Sequence, residues 1–337
     1  MANANWLGDV PGTRLLHEIC IPGSHDAGVY GDSIDTRKSP ASWARCQTGN
    51  IFEQATAGSR MFDCRVFLKK VGGTMTPTMG HFFSEKTKGS FGKKHETGRG
   101  GAYGGSLLNC IYDAIRFVKQ HDTEFLILRF SHTYCPTEVG TALNTFLALG
   151  DNLRYIYTGN NNIAQERLSS LRGKVIMVFA SEFHAGFSAV DGYLPFYKHV
   201  PDVTTAGGLC TCGIYKGSSD MKKVHGSAEQ GLDDHAQHGG DDHLSFVYWQ
   251  QTMKPGDIKK ATTEKASKGV LGVGSSKGGA HAQLGGFCDE IRNKVAAGDW
   301  KLPNVISHDF VKDETCAQII ALNQMRASRV KMGMRGR

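Results

Sequence analysis

No stretch of the chain holds the roughly 18 consecutive apolar residues that a membrane-crossing helix needs, so no spanning segment is expected. The start, Met1-Ala2-Asn3-Ala4-Asn5-Trp6-Leu7, has neither a basic n-region nor an apolar h-region, and no secretory signal is expected there. Zinc-finger spacing, a basic-region zipper and an aromatic RNA-binding signature are all missing, which argues against a nucleic-acid partner. Internal repeats and a domain boundary are missing too. Paired cysteines are also in short supply. The nine cysteines are odd in number, and Cys20, Cys64, Cys110 and Cys288 sit in apolar settings. A chain this long needs no disulfide staples, so reduced thiols are expected. Cys210 and Cys212, two apart in a glycine-rich segment, offer too few converging ligands for zinc.

What is present fits one large α/β unit. At 337 residues with 40% hydrophobic residues, the chain can bury a sizeable core. Short apolar segments alternate with helical ones, the pattern of parallel βα units. Strands are expected at 17–21, 60–68, 76–82, 125–131, 175–180, 244–250, 270–274 and 304–310. Helices are expected at 106–120, 138–150, 286–296 and 315–327. Residues 87–105 and 206–242, rich in Gly, Lys and His, read as surface insertions. One barrel of about eight strands over residues 1–337, acting as a monomer, is the economical architecture.

Formal net charge is +7, and Arg326, Arg329, Lys331, Arg335 and Arg337 concentrate much of it in a basic tail, 326–337. Such a tail either keeps a surface wet or draws it to anionic lipid, at about 1 kcal/mol per basic residue near the headgroups.

In a βα barrel the reactive groups come from the C-terminal strand ends. Here the first strand runs into His25 and Asp26, and the second carries Asp63 and Arg65. The third ends in His81, the fourth in Arg129-Phe130-Ser131-His132, and the last in His308-Asp309. Residues two apart on a strand share a face, so Asp63 and Arg65 point the same way. Barrel closure brings the first and last strands together, so Asp309 can approach His25. A carboxylate on one imidazole nitrogen fixes the tautomer and leaves the other as a general base. His81 is then the candidate general acid, with His95 as a fallback. Arg65 between the imidazoles suits an anionic centre with several oxygens, such as a phosphate. Arg129, Ser131 and His132 read as positioning neighbours. The run Asp233-Asp234-His235-Ala236-Gln237-His238-Gly239-Gly240-Asp241-Asp242-His243 has ligand types that suit zinc or calcium. Its glycines favour a solvated loop, and no metal site is assigned.

These residues also resemble a known family. Ile21-Pro22-Gly23-Ser24-His25-Asp26-Ala27-Gly28, Phe62-Asp63-Cys64-Arg65, Glu124-Phe125-Leu126-Ile127-Leu128-Arg129-Phe130-Ser131-His132 and Ile306-Ser307-His308-Asp309-Phe310 are similar to the X domain of phosphatidylinositol-specific phospholipases C. The resemblance runs from Trp6 to Asn323, although Phe82 follows His81 where the family usually has glycine. It implies a distorted or incompletely closed TIM barrel that cleaves a phosphodiester on the lipid side of the phosphorus. It implies His25 as base with Asp309 as its orienting partner, His81 as acid supported by Asp26, and Arg65 with Asp63 at the phosphate. The substrate's own ring hydroxyl would attack, giving a cyclic phosphate. Eukaryotic members carry an acidic, calcium-binding residue where Arg65 stands, so catalysis here is expected without metal or other cofactor. Ala180-Ser181-Glu182 and Gln250-Gln251 depart from the headgroup-binding positions of bacterial relatives, which leaves the headgroup open. The competing expectation is a phosphate- or lipid-binding module without turnover.

Overall fold

The computed structural model describes residues 2–31, 34–37, 44–82, 101–132, 135–183, 192–198, 207–252 and 279–325. The expected strand at 270–274, His95, the basic tail and most of 87–105 lie outside them.

Eight parallel strands form the barrel: β1 (Ile21–Ser24), β3 (Met61–Val71), β6 (Phe125–Ser131), β7 (Lys174–Phe179), β8 (Tyr193–Lys198), β9 (Leu209–Cys212), β10 (Leu244–Tyr248) and β11 (Val305–His308). Closure is made by β1, which pairs with β11 through Ile21–Val305 to Ser24–His308 and with β3 through Gly23–Met61 and Ser24–Phe62. The sheet is therefore closed all round: the expected TIM barrel is present, in its closed form rather than the incompletely closed one. Met61, Ile127, Ile176, Val178, Leu209, Leu244 and Phe246 fill its interior.

Helices cover the outside: α1 (Ile51–Thr56), α2 (Leu107–Gln120), α3 (Pro136–Leu147), α4 (Leu168–Leu171), α5 (Met221–His238), α6 (Ala280–Ala297) and α7 (Asp313–Ile320). Their apolar stripes meet the outward-facing strand residues. Leu284, Phe287 and Ile291 of α6, for example, pack with Trp249, Val247 and Ile306.

β3 outruns the barrel and turns back as β4 (Thr74–Phe82) through Gly72 and Gly73, whose φ values of 55° and 91° make the two-residue hairpin turn. β5 (Gly101–Ser106) and β2 (Asp35–Arg37) extend this antiparallel flap. The flap overhangs the mouth and carries His81. Gly28 is required where it passes, since a Cβ there would lie 2.2 Å from Met79 Cγ.

Three expectations need correction. The first strand begins at Ile21, because 16–18 form a 3₁₀ turn. Residues 206–242 are not an insertion: β9 and α5 are integral barrel elements, paired with β8 and β10 and packed on the sheet. The acidic and histidine-rich run is correspondingly no loop over 233–238 but the last turns of α5, and Asp233 accepts a hydrogen bond from Trp300 Nε1 at 2.7 Å.

Below the barrel, Glu124 ties the N-terminal 3₁₀ segment down. It accepts from Arg60 Nε at 2.8 Å and from the backbone N–H of Leu7 and Gly8, with both Arg60 and Glu124 wholly buried.

Candidate active site

Strand geometry brings the expected residues to one place. His25 follows β1 directly, and its backbone N–H donates to the His308 carbonyl at 3.1 Å. Asp309 follows β11, and its Oδ1 lies 2.7 Å from His25 Nδ1. Arg65 Nη2 lies 3.0 Å from His25 Nε2. Asp63 and Arg65 share a face of β3, and Asp63 Oδ2 accepts from Arg65 Nε and Nη2 at 3.1 and 3.0 Å. The other Asp63 oxygen accepts from Arg129 Nη2 at 2.8 Å and Ser131 Oγ at 3.2 Å. Arg129 and Ser131 thus hold Asp63, which holds Arg65.

Asp26 is the hub. Its Oδ1 is 2.6 Å from Arg65 Nε, and its Oδ2 is 3.3 Å from His25 Nε2 and 3.4 Å from His81 Nδ1. The His25 and His81 rings stand 6.2 Å apart, nearly perpendicular. Asp26, His132 and Phe310, each just past a strand end at the mouth, have φ of 44°, 55° and 50°. Left-handed backbone at a non-glycine residue costs free energy and persists where its surroundings enforce it, as functional sites commonly do.

Protonation follows from these neighbours. Burial alone would lower the His25 pKa, but Asp26 and Asp309 outweigh it and the net shift is upward. Burial lowers His81, aided by Arg65 and His25 and opposed by Asp26. Burial would raise Asp63, yet Arg129 and Arg65 hold it well below the usual carboxylate range. Arg65 is held firmly charged: burial opposes the charge, and Asp26 and Asp63 overcome it.

No family model matches the chain. Among curated proteins, a PI-PLC X domain-containing protein of Dictyostelium discoideum is 33% identical over 75 residues, 18% of this chain and 13% of the relative. A 1-phosphatidylinositol phosphodiesterase of Staphylococcus aureus is 38% identical over 63 residues, 18% of this chain and 19% of the relative. The matches span less than a fifth of each of these relatives. Solved structures extend the likeness. A phosphatidylinositol-specific phospholipase C of Listeria monocytogenes superposes with a TM-score of 0.59 at 16% identity, covering 96% of this chain and 99% of that one. A double mutant of the Staphylococcus aureus enzyme gives 0.56 at 16% identity, covering 96% and 98%. The fold is that of the bacterial phosphatidylinositol-specific phospholipases C, and the local sequence matches are to PI-PLC X-domain and phosphodiesterase chains.

Within this barrel, some neighbours of the site carried no signal in sequence. Cys46 Sγ lies 3.4 Å from His81 Nδ1 and 3.7 Å from Asp26 Oδ2. Gln47 donates to the His25 carbonyl at 2.9 Å and accepts from the Val311 N–H, clamping the first and last strand ends. Both precede α1 in a stretch without periodicity, so only the fold could find them. Tyr215 stands at the rim, its hydroxyl 2.6 Å from Thr252 Oγ1 and its ring edge-on to Tyr248. His25, Asp26 and Cys46 lie close enough together to hold a cation, but the Arg65 guanidinium already occupies the Asp26 carboxylate. Of the departures from bacterial headgroup positions, Glu182 is exposed beyond β7, while Gln250 is buried just past β10.

Proposed function

We propose that the protein is a phospholipase C-type phosphodiesterase acting on phosphatidylinositol or a phospholipid with a related hydroxylated headgroup. The observation that carries this reading is the grouping of His25, Arg65 and His81 around Asp26, with Asp309 behind His25. The Staphylococcus aureus relative is named a 1-phosphatidylinositol phosphodiesterase, which supports the substrate class.

Asp309 holds the Nδ1 proton and leaves the Nε2 lone pair of His25 facing the site. His25 takes the proton of the headgroup hydroxyl beside the phosphate as that oxygen attacks phosphorus. The bond from phosphorus to the glycerol oxygen breaks, and His81 delivers a proton to the departing oxygen. A cyclic phosphate and a diglyceride result. Alignment of an intramolecular nucleophile supplies much of the acceleration. Arg65 neutralises charge on the non-bridging oxygens, an effect of about 3 kcal/mol for a preorganised donor. Its guanidinium takes the place of a divalent cation, so turnover needs no metal.

Contact with anionic membrane surface follows from the substrate, and one of the structural neighbours is described by the modulation of its membrane binding. Phosphorus NMR of products from a mixed phospholipid panel tests the reading. A cyclic phosphate signal, abolished in His25→Ala and His81→Ala, is expected. Vesicle binding without any product would replace the enzyme by a phosphate-binding module.

A further inference from the structure

A second cluster of chemically active side chains lies outside the mouth, on the outer face of the barrel. Cys212 ends β9, His243 immediately precedes β10, and His235 lies on the last turn of α5, which covers both strands. Cys212 pairs with Ser245 across the sheet, so Cys212 and His243 share the outward face two positions apart along the ladder. His235 descends onto them from the helix. Cys212 Sγ and His235 Nδ1 are 3.9 Å apart, and the ligand atoms of all three residues lie within 4.8 Å of one another. The His235 and His243 rings are 5.8 Å apart, edge to face at 72°.

We propose that Cys212, His235 and His243 form a binding site for a thiolate- and imidazole-preferring divalent cation of the zinc class, with water completing a tetrahedron. Zn–S of about 2.3 Å and Zn–N of about 2.0 Å at tetrahedral angles set sulfur and nitrogen about 3.5 Å apart. The observed separation closes to this by a few tenths of an ångström. His235 is almost fully buried and the other two are partly covered, as a site open on one side requires. Asp242 Oδ1, 3.0 Å from His243 Nδ1, is the carboxylate that fixes a ligating imidazole and leaves Nε2 for the metal. Asp234 stands near Cys212 and Asp241 near His235, adding negative potential, while Lys301, bonded to the Gly239 carbonyl, opposes it. Gly239 keeps the space clear, because a Cβ there would come within 2.2 Å of His235 Nδ1. On binding, the Cys212 thiol releases its proton to solvent and the thiolate ligates. The cation would pin β9, β10 and the end of α5 together.

Titration of the metal-free full-length protein with Co²⁺ and Zn²⁺ tests this. One tightly bound ion per chain is expected, with a thiolate-to-cobalt charge-transfer band and a rise in melting temperature with free zinc. The band must persist in Cys46→Ser and disappear in Cys212→Ser. His243→Gln, at a partly exposed position, must weaken zinc by about tenfold or more while its metal-free melting temperature stays at the wild-type value. Binding without the band would place the ion elsewhere, for instance on His225, Glu229 and Glu290, and overturn the proposal. So would a band that survives Cys212→Ser, or no binding at all.

Discussion

His25 Nδ1 lies 2.7 Å from Asp309 Oδ1, although the two residues are 284 positions apart in the chain. The contact exists because β1 and β11 are adjacent in a closed barrel, Ser24 opposite His308, so that the next residue of each strand projects into the same mouth. Asp309 is one of the two carboxylates that lift the His25 pKa against burial.

Replacing that carboxylate should therefore move a measurable limb. With His25 held above and His81 below the ordinary histidine value, the productive form (His25 neutral, His81 protonated) is the minor one, and the alkaline limb of kcat/KM reports His25. In Asp309→Asn the limb should shift to lower pH, and kcat should drop by about 10²–10⁴ as the tautomer control is lost. An unchanged limb would remove Asp309 from the base.

The second imidazole runs the other way. His81 is lowered by burial, while an acid must be protonated. The acid limb of the wild-type profile should therefore report His81 and lie below the ordinary histidine value. Asp26→Asn removes the carboxylate that favours the His81 cation, and should push this limb lower still. Profiles of kcat/KM for both proteins on one soluble substrate decide it.

Arg65 offers a test of geometry against charge. Arg65→Lys keeps the cation beside Asp26 and Asp63 but loses the planar fork that binds Asp63 through two nitrogens. Turnover should fall by about 10² with the melting temperature little changed. A lysine variant of full activity would reduce Arg65 to a structural counter-ion.

Cys46 touches His81 and Asp26, so a thiol reagent that reached it would block the proposed site. Burial first, and then Asp309 and Asp26, raise its pKa well above the ordinary thiol range. Thiolate is the reactive form. Iodoacetamide at neutral pH should leave Cys46 unmodified by mass spectrometry and activity intact, and rapid labelling with loss of turnover would contradict this.

Buried histidine should also set acid stability. His308 is wholly buried, its Nε2 lacks a hydrogen-bond partner, and burial brings its pKa from 6.5 down to about 4. A depressed folded pKa means that the unfolded chain binds the proton first. The resulting stability is full above 6.5 and is lost as pH falls toward 4, by about 3 kcal/mol in all. Denaturant midpoints for His308→Phe should show a shallower slope across that window than the wild type.

Legibility in the sequence followed local information. The run Phe125–Ser131 is apolar except for Arg129 and Ser131, and the strand has those bounds. The helix at 107–120 carries its apolar stripe and a Ser106 cap in its own residues. β8 and β9 carry no such signal. Tyr193–Lys198 contains Pro195, and Leu209–Cys212 is four residues long beside glycines, so each is a strand only because its neighbours supply the ladder. α5 is polar and holds Gly226 and Gly231, which disguises its narrow apolar face of Met221, Val224, Ala228 and Leu232.

The amino-acid order by itself determined the alternation of strands and helices, hence a barrel class, and the placing of ionisable residues at strand ends. Those are properties of period and neighbourhood, carried within a few residues. Tertiary structure alone decided closure between β1 and β3, the swing of His81 over the mouth on the β4 flap, and the meeting of Cys212, His235 and His243. Such contacts depend on strand register and helix docking, which are set by packing among segments that share no local code.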